Sequence, residues 1–136
     1  MTQSSEELFQ TIQETVADLL WLSESDSPIT VQMWENAFPR GFSKPEFWTL
    51  SQQDPEQRYQ KTTLEKFLRP AVTPQSWHGE EERLECQKFQ ALQTLLNESF
   101  DNIRVLKLGE VCLDIFILGQ HPDGPWIVIH TQSVES

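Results

Sequence analysis

The run VCLDIFIL, residues 111–118, constrains the fold of this chain more than any other stretch. A strand with one wet face alternates apolar and polar residues. This run is apolar at both parities, with Asp114 the only charge, so a strand here must be covered on both sides. It is flanked by two further β-rich runs, residues 103–108 and 126–134. Gly109-Glu110 fits a two-residue hairpin turn with Gly first, and GQHPDGP is a dense turn cluster. Consecutive hairpins make the sheet mainly antiparallel, with the 111–118 strand at its centre.

Two helical stripes supply the cover. Over residues 5–22, Leu8, Phe9, Ile12, Val16, Leu19 and Leu20 recur at spacings of three and four. Ser4 and Glu7 have capping-box spacing. Residues 79–99 form the second helix, with Glu80, Glu81 and Glu82 at its positive end and Leu84, Phe89, Leu92, Leu95 and Leu96 as its buried face. Thr73-Pro74 reads as the entry to that helix. A fourth strand falls at 29–35 and a short helix at 63–68, ended by Pro70. Residues 38–60 have no period and read as a long connection whose Phe42, Phe47 and Trp48 reach the core edge. The expectation is an α+β fold, a three-layer α/β/α sandwich in one domain over residues 1–136.

Charge narrows the partners. Ten Lys+Arg against 21 Asp+Glu give a formal charge of −11. That balance opposes phosphate backbones and anionic membranes and suits a basic protein. The N-terminus has neither a cationic nor an apolar signal segment, no apolar run is long enough to span a membrane, and a cytoplasmic site is expected. Cys86 and Cys112 have no metal-ligand spacing and read as buried free thiols. His78, His121 and His130 have no His or Cys at helical spacing, and neither a phosphate loop nor a nucleophile motif is present. Asp114 reads as a structural acid. No cofactor is expected, and the residues make no positive case for an enzyme.

Surfaces remain. SESDS, residues 23–27, places Glu24 and Asp26 where turns ordinarily use Gly, Asn or Pro; it is either a solvated turn or a presented carboxylate. TPQSWH, residues 73–78, offers Trp77 either as an interface anchor or as a staple folded onto the core. SVES ends the chain directly after a strand, so Ser136 carries a hydroxyl and the terminal carboxylate, oxygens of the type Mg²⁺ accepts.

These stretches, LLWLSESDSPITVQMWE, TPQSWHGEEE, KFQALQTLL and LKLGEVCLDIFILGQHPDG with its run to SVES, resemble the cyanobacterial nuclease A inhibitor family. The match is loose over residues 38–61. The resemblance implies a three-layer α/β/α sandwich and one-to-one inhibition of a sugar-non-specific, Mg²⁺-dependent DNA/RNA endonuclease by a protein that is monomeric when free. It implies that Glu24 faces arginine on the nuclease and that Gln75 and Trp77 contact it. It also implies that the C-terminal residue, here Ser136 after Glu135, enters the active site with its hydroxyl reaching the nuclease's Mg²⁺, and that Glu135 belongs to the partner-binding set. The family's usual last residue is Thr; Ser keeps the hydroxyl without the methyl that restricts its rotamer. Two other readings stay open. One is an acidic binding module of the same fold, redirected by the 38–60 segment to a non-nuclease partner. The other is an enzyme built around Asp114, His121 or His130.

Overall fold

A computed structural model describes residues 4–22, 26–100, 102–122 and 124–135. Four helices and seven strands follow one another among them. They are α1 (Ser5–Val16), β1 (Leu20–Leu22), β2 (Asp26–Pro28), β3 (Thr30–Trp34), α2 (Lys44–Ser51), β4 (Tyr59–Thr62), α3 (Leu64–Val72), α4 (Glu80–Ser99), β5 (Ile103–Leu108), β6 (Cys112–Gln120) and β7 (Trp126–Val134). The main sheet has the order β3-β7-β6-β5-β4, and each of its ladders is antiparallel. The chain therefore has the expected mixed α+β fold with a mainly antiparallel sheet. β6 is central, as its two apolar parities require.

Alternation along the strands sorts the core into two clusters. Val105, Leu113, Ile115, Ile117, Ile127 and Ile129 pack with Leu8, Ile12 and Val16 of α1, Leu64, Phe67 and Leu68 of α3, and Phe89, Leu92 and Leu96 of α4. The opposite parity, Leu106, Leu108, Phe116, Leu118, Trp126 and Val128, packs with Ala37, Phe38 and Phe47. Each fully buried Leu or Phe contributes about 1.5–3 kcal/mol of transfer free energy.

Several local expectations are corrected. The first helix stops at Val16, and the Leu19–Leu20–Trp21 run that looked like its last turn enters β1, which pairs with β2. The 38–60 segment is not irregular: it holds α2 and the start of β4. α2 starts after Ser43 with Pro45 in its first turn, and Glu46 accepts the Phe38 amide through Oε2 at 3.1 Å. α3 runs through Pro70 to Val72. Proline lacks an amide hydrogen, but side chains satisfy late carbonyls: Thr73 Oγ1 donates to Arg69 O at 2.7 Å and Gln90 Nε2 to Val72 O at 2.7 Å. Thr73 therefore closes α3 instead of opening α4. Leu84 is 54% exposed, and Cys86 takes a place on the buried face of α4. Of the two thiols, Cys86 is buried and Cys112 exposed. The β5–β6 connection is wider than two residues, since Leu108 pairs with Asp114.

Gly119 in β6 faces the Phe100 ring, and a Cβ there would lie 2.6 Å from ring carbons. Phe100 is itself buried, so the ring has little room to yield. Gly119→Ala should cost about 1–3 kcal/mol through overpacking. Urea denaturation measures this; an unchanged midpoint would show that the ring moves aside freely.

Tyr59, the chain's single tyrosine, stacks edge-on against Trp48 with centroids 5.6 Å apart, under the Lys44 ammonium 4.1 Å from its centroid. Its buried hydroxyl has no hydrogen-bond partner among the described residues. Burial pushes the phenol above its ordinary 10.0, while the Arg104 charge pulls the other way. A raised folded-state pKa contributes stability that is fully present below pH 10.0 and is lost as pH rises through the folded value. Phenolate absorbance of the folded protein should show a midpoint above 10.0. A midpoint at or below it would contradict the burial.

Candidate partner-binding site

Three of the five sequence-predicted residues, Gln75, Trp77 and Glu135, are described; Glu24 and Ser136 lie outside the described residues. The three gather at one end of the sheet, and Trp21 links them. Trp21 sits in β1, with Leu22 next to it paired to Asp26. Its ring stacks on Phe67 at 4.3 Å and meets Phe89 edge-on at 6.0 Å, leaving it 6% exposed. On one side the indole floors a groove of about 380 Å³ between the end of α3 and the start of α4. Gln75, Trp77, His78, Glu82, Glu85 and Cys86 also line it. On the other side its Nε1 donates to Ser133 Oγ at 3.2 Å, two residues before Glu135.

The 73–79 connection is a structured turn. His78 N donates to Gln75 O at 3.1 Å, and Gln75 N donates to His78 Nδ1 at 3.1 Å. In the second bond Nδ1 acts as an acceptor. Gly79 N donates to Glu82 Oε2 at 3.0 Å, closing the start of α4. Trp77 packs edge-on against the His78 ring at 4.4 Å and is otherwise outward, 73% exposed. It is not a core staple. A tryptophan this exposed, on a turn braced by its neighbours, presents a large apolar face at low ordering cost.

The C-terminal strand end is also braced. Glu135 N donates to Val111 O at 2.9 Å, tying the chain end to the β5–β6 connection. Lys107 Nζ donates to Glu135 Oε1 at 3.1 Å, and Ser133 Oγ donates to Glu135 Oε2 at 2.9 Å. Sequence reasoning missed Val111 and Lys107. Val111, 51% exposed at the hairpin beside the chain end, adds an apolar residue to this surface; its apolar character inside an expected strand hid it.

Elsewhere, His130 Nε2 lies 2.8 Å from Asp114 Oδ1, and the imidazole stacks on Phe116 at 4.6 Å. Asp114 is thus hydrogen-bonded and half-buried. His121 is buried at the far end of the sheet, so the three residues of the enzyme reading do not form one constellation. A larger cavity, about 830 Å³, also lies at that far end, among Arg104, Gln120, His121 and Trp126; Gln75, Trp77 and Glu135 do not line it. No group of three or more His, Cys, Asp or Glu fit to hold a metal occurs among the described residues. No helix among them is long and apolar enough to cross a membrane.

The chain thus combines a mixed α+β fold with an exposed tryptophan, an apolar groove and a braced chain end. The nuclease A inhibitor-like protein family matches residues 6–136, and the chain belongs to that family. Among curated proteins no match is found. Membership supports a nuclease-inhibitor role and a nuclease as partner.

Trp21→Ala should lower stability by about 3–5 kcal/mol, because it empties the joint between β1, α3 and α4. Trp77→Ala should change it by no more than about 0.5 kcal/mol. Equal losses in chemical denaturation would contradict the outward position of Trp77.

Proposed function

We propose that this protein inhibits a sugar-non-specific, Mg²⁺-dependent DNA/RNA endonuclease, one to one, by seating this end of the molecule on the nuclease active site. The observation that carries the reading is convergence. Trp77 and Glu135 are 58 positions apart in sequence, yet Gln75 and Trp77 line one groove with Trp21, and Glu135 accepts from Ser133, the acceptor of the Trp21 indole. Family membership over residues 6–136 supports the choice of partner.

The electrostatics follow from what a nuclease must be. An enzyme that holds nucleic acid presents cations, and a chain of formal charge −11 is drawn to them. Association is therefore fast at low salt and slows as ionic strength rises. Glu24 pairs with a nuclease arginine through a charge-assisted, bidentate contact of the kind a phosphodiester would make. Trp77 and Gln75 bind beside it. Ser136 brings its hydroxyl to the Mg²⁺ of the nuclease. The inhibitor itself holds no cofactor, contacts no nucleic acid, and is monomeric when free.

Titration into such a nuclease digesting plasmid DNA tests this, beside a form lacking Ser136 and a Glu24→Ala variant. The intact protein should inhibit stoichiometrically. Loss of Ser136 should weaken inhibition sharply. Glu24→Ala should weaken it by about 30- to 5,000-fold, the equivalent of the roughly 2–5 kcal/mol cost of leaving a desolvated arginine unpaired. No inhibition by the intact protein at micromolar excess would contradict the reading and favour an acidic binding module with a non-nuclease partner.

A further inference from the structure

Resting on the inhibitor reading, we infer that Glu135 is a positioning residue, not a contact to the nuclease. Together with Ser133, Lys107 and Trp21 it forms an internal clamp that fixes the point from which Ser136 extends. Both carboxylate oxygens are engaged inside the molecule: Oε1 by the Lys107 ammonium at 3.1 Å, Oε2 by the Ser133 hydroxyl at 2.9 Å. The backbone amide is engaged as well, by Val111 O at 2.9 Å. Each carboxylate oxygen thus has one lone pair committed inside the molecule, and turning the side chain toward a nuclease cation would break these bonds.

The clamp has a direction. A hydroxyl carries one hydrogen and two acceptor lone pairs. Trp21 Nε1 occupies the acceptor side of Ser133 Oγ at 3.2 Å, which leaves the Ser133 hydrogen for Glu135. Ser133 is 1% exposed, so its hydroxyl bonds face no competition from water. The chain end is thereby connected through one buried hydroxyl to the indole that floors the Trp77 groove and belongs to the strand entering the 23–25 segment. A terminal residue on a frayed strand would lose its freedom on binding, and that cost would subtract from affinity. A clamped attachment point removes part of that cost before the nuclease arrives. Lys107 has a further consequence. The chain holds only 10 Lys+Arg, and this one sits at the edge that must meet a cationic partner. Bound to Glu135, its charge is neutralised locally, so it does not repel that partner.

Two variants test the clamp: Ser133→Ala removes the relay hydroxyl, and Glu135→Gln removes the charge held by Lys107. Each is combined with deletion of Ser136. Inhibition and the dissociation rate are measured with the nuclease, and amide hydrogen exchange at Glu135 is measured on the free protein. In the full-length background, Ser133→Ala and Glu135→Gln should speed dissociation about three- to tenfold. In the background lacking Ser136 they should have almost no further effect, because nothing remains to be positioned. Exchange of the Glu135 amide should quicken in both.

If deletion of Ser136 weakens inhibition but neither substitution does, the clamp is wrong and the active-site plug stands. An effect that persists undiminished without Ser136 would overturn the clamp in favour of a direct nuclease contact. Inhibition unaffected by deletion of Ser136 would remove both the plug and the clamp. Unchanged exchange at Glu135 would overturn the clamp whatever the nuclease does.

Discussion

The end of the molecule that carries Trp77 and Glu135 is organised around one indole. Trp21 is stacked on Phe67, edge-on to Phe89, and hydrogen-bonded to Ser133. Its ring holds α3, α4 and the β1–β2 hairpin at fixed positions, and its single donor reaches the last strand. A buried indole N–H usually finds a partner, and a serine is a short, adaptable acceptor that still has a hydrogen to pass on. One buried side chain thus serves as core filler and as the link between three surface features far apart in sequence.

The rest of the fold supports that end. β6 and β7 pair along their whole length, and both faces of the sheet carry apolar clusters. Such a sheet is stiff, so elements anchored at its edge keep their relative positions. That matters for an inhibitor, because a surface already in its bound shape loses less conformational entropy on association. Acidity does a different job in the proposed complex: there it would govern encounter and orientation at long range, while the exposed Trp77, the apolar groove and the chain end would govern short-range fit.

What could be read from the sequence follows from which interactions are local. The three final strands were legible because period and burial agree, and Leu108, Ile117 and Val128 could only be core. α4 was legible from its acidic first turn and its stripe. Local reading failed where distant contacts decide. Leu19, Leu20 and Trp21 continue the helical spacing of α1, but Trp21 finds its partners in Phe67, Phe89 and Ser133, and the chain becomes a strand. α2 has almost no periodic signal; Phe47 is held by Phe116 and Trp34, and Asn36, Phe38 and Gln52 accept positive φ values that no pattern announces. Thr73-Pro74 has the chemistry of a helix entry, yet the Thr73 hydroxyl turns back to Arg69. Of the site, Trp77 and Gln75 were visible as residues, but their outward position came from the turn that His78 closes. The ties between Lys107, Ser133 and Glu135 had no local signature, because they cross strands.

The most direct test of the account is a map of the surface that a nuclease covers, using isotope-labelled protein and a catalytically inactive, Mg²⁺-loaded, sugar-non-specific nuclease. The account predicts that resonances change at one end only: the Trp77 indole, residues 73–78, the segment around Val111, and Ser133 to the chain end. The Trp126 indole and the Arg104–His121 cavity should keep their free-state signals. A footprint centred on that far end, or on the α2 side of the sheet, would contradict the central claim and assign the binding surface elsewhere.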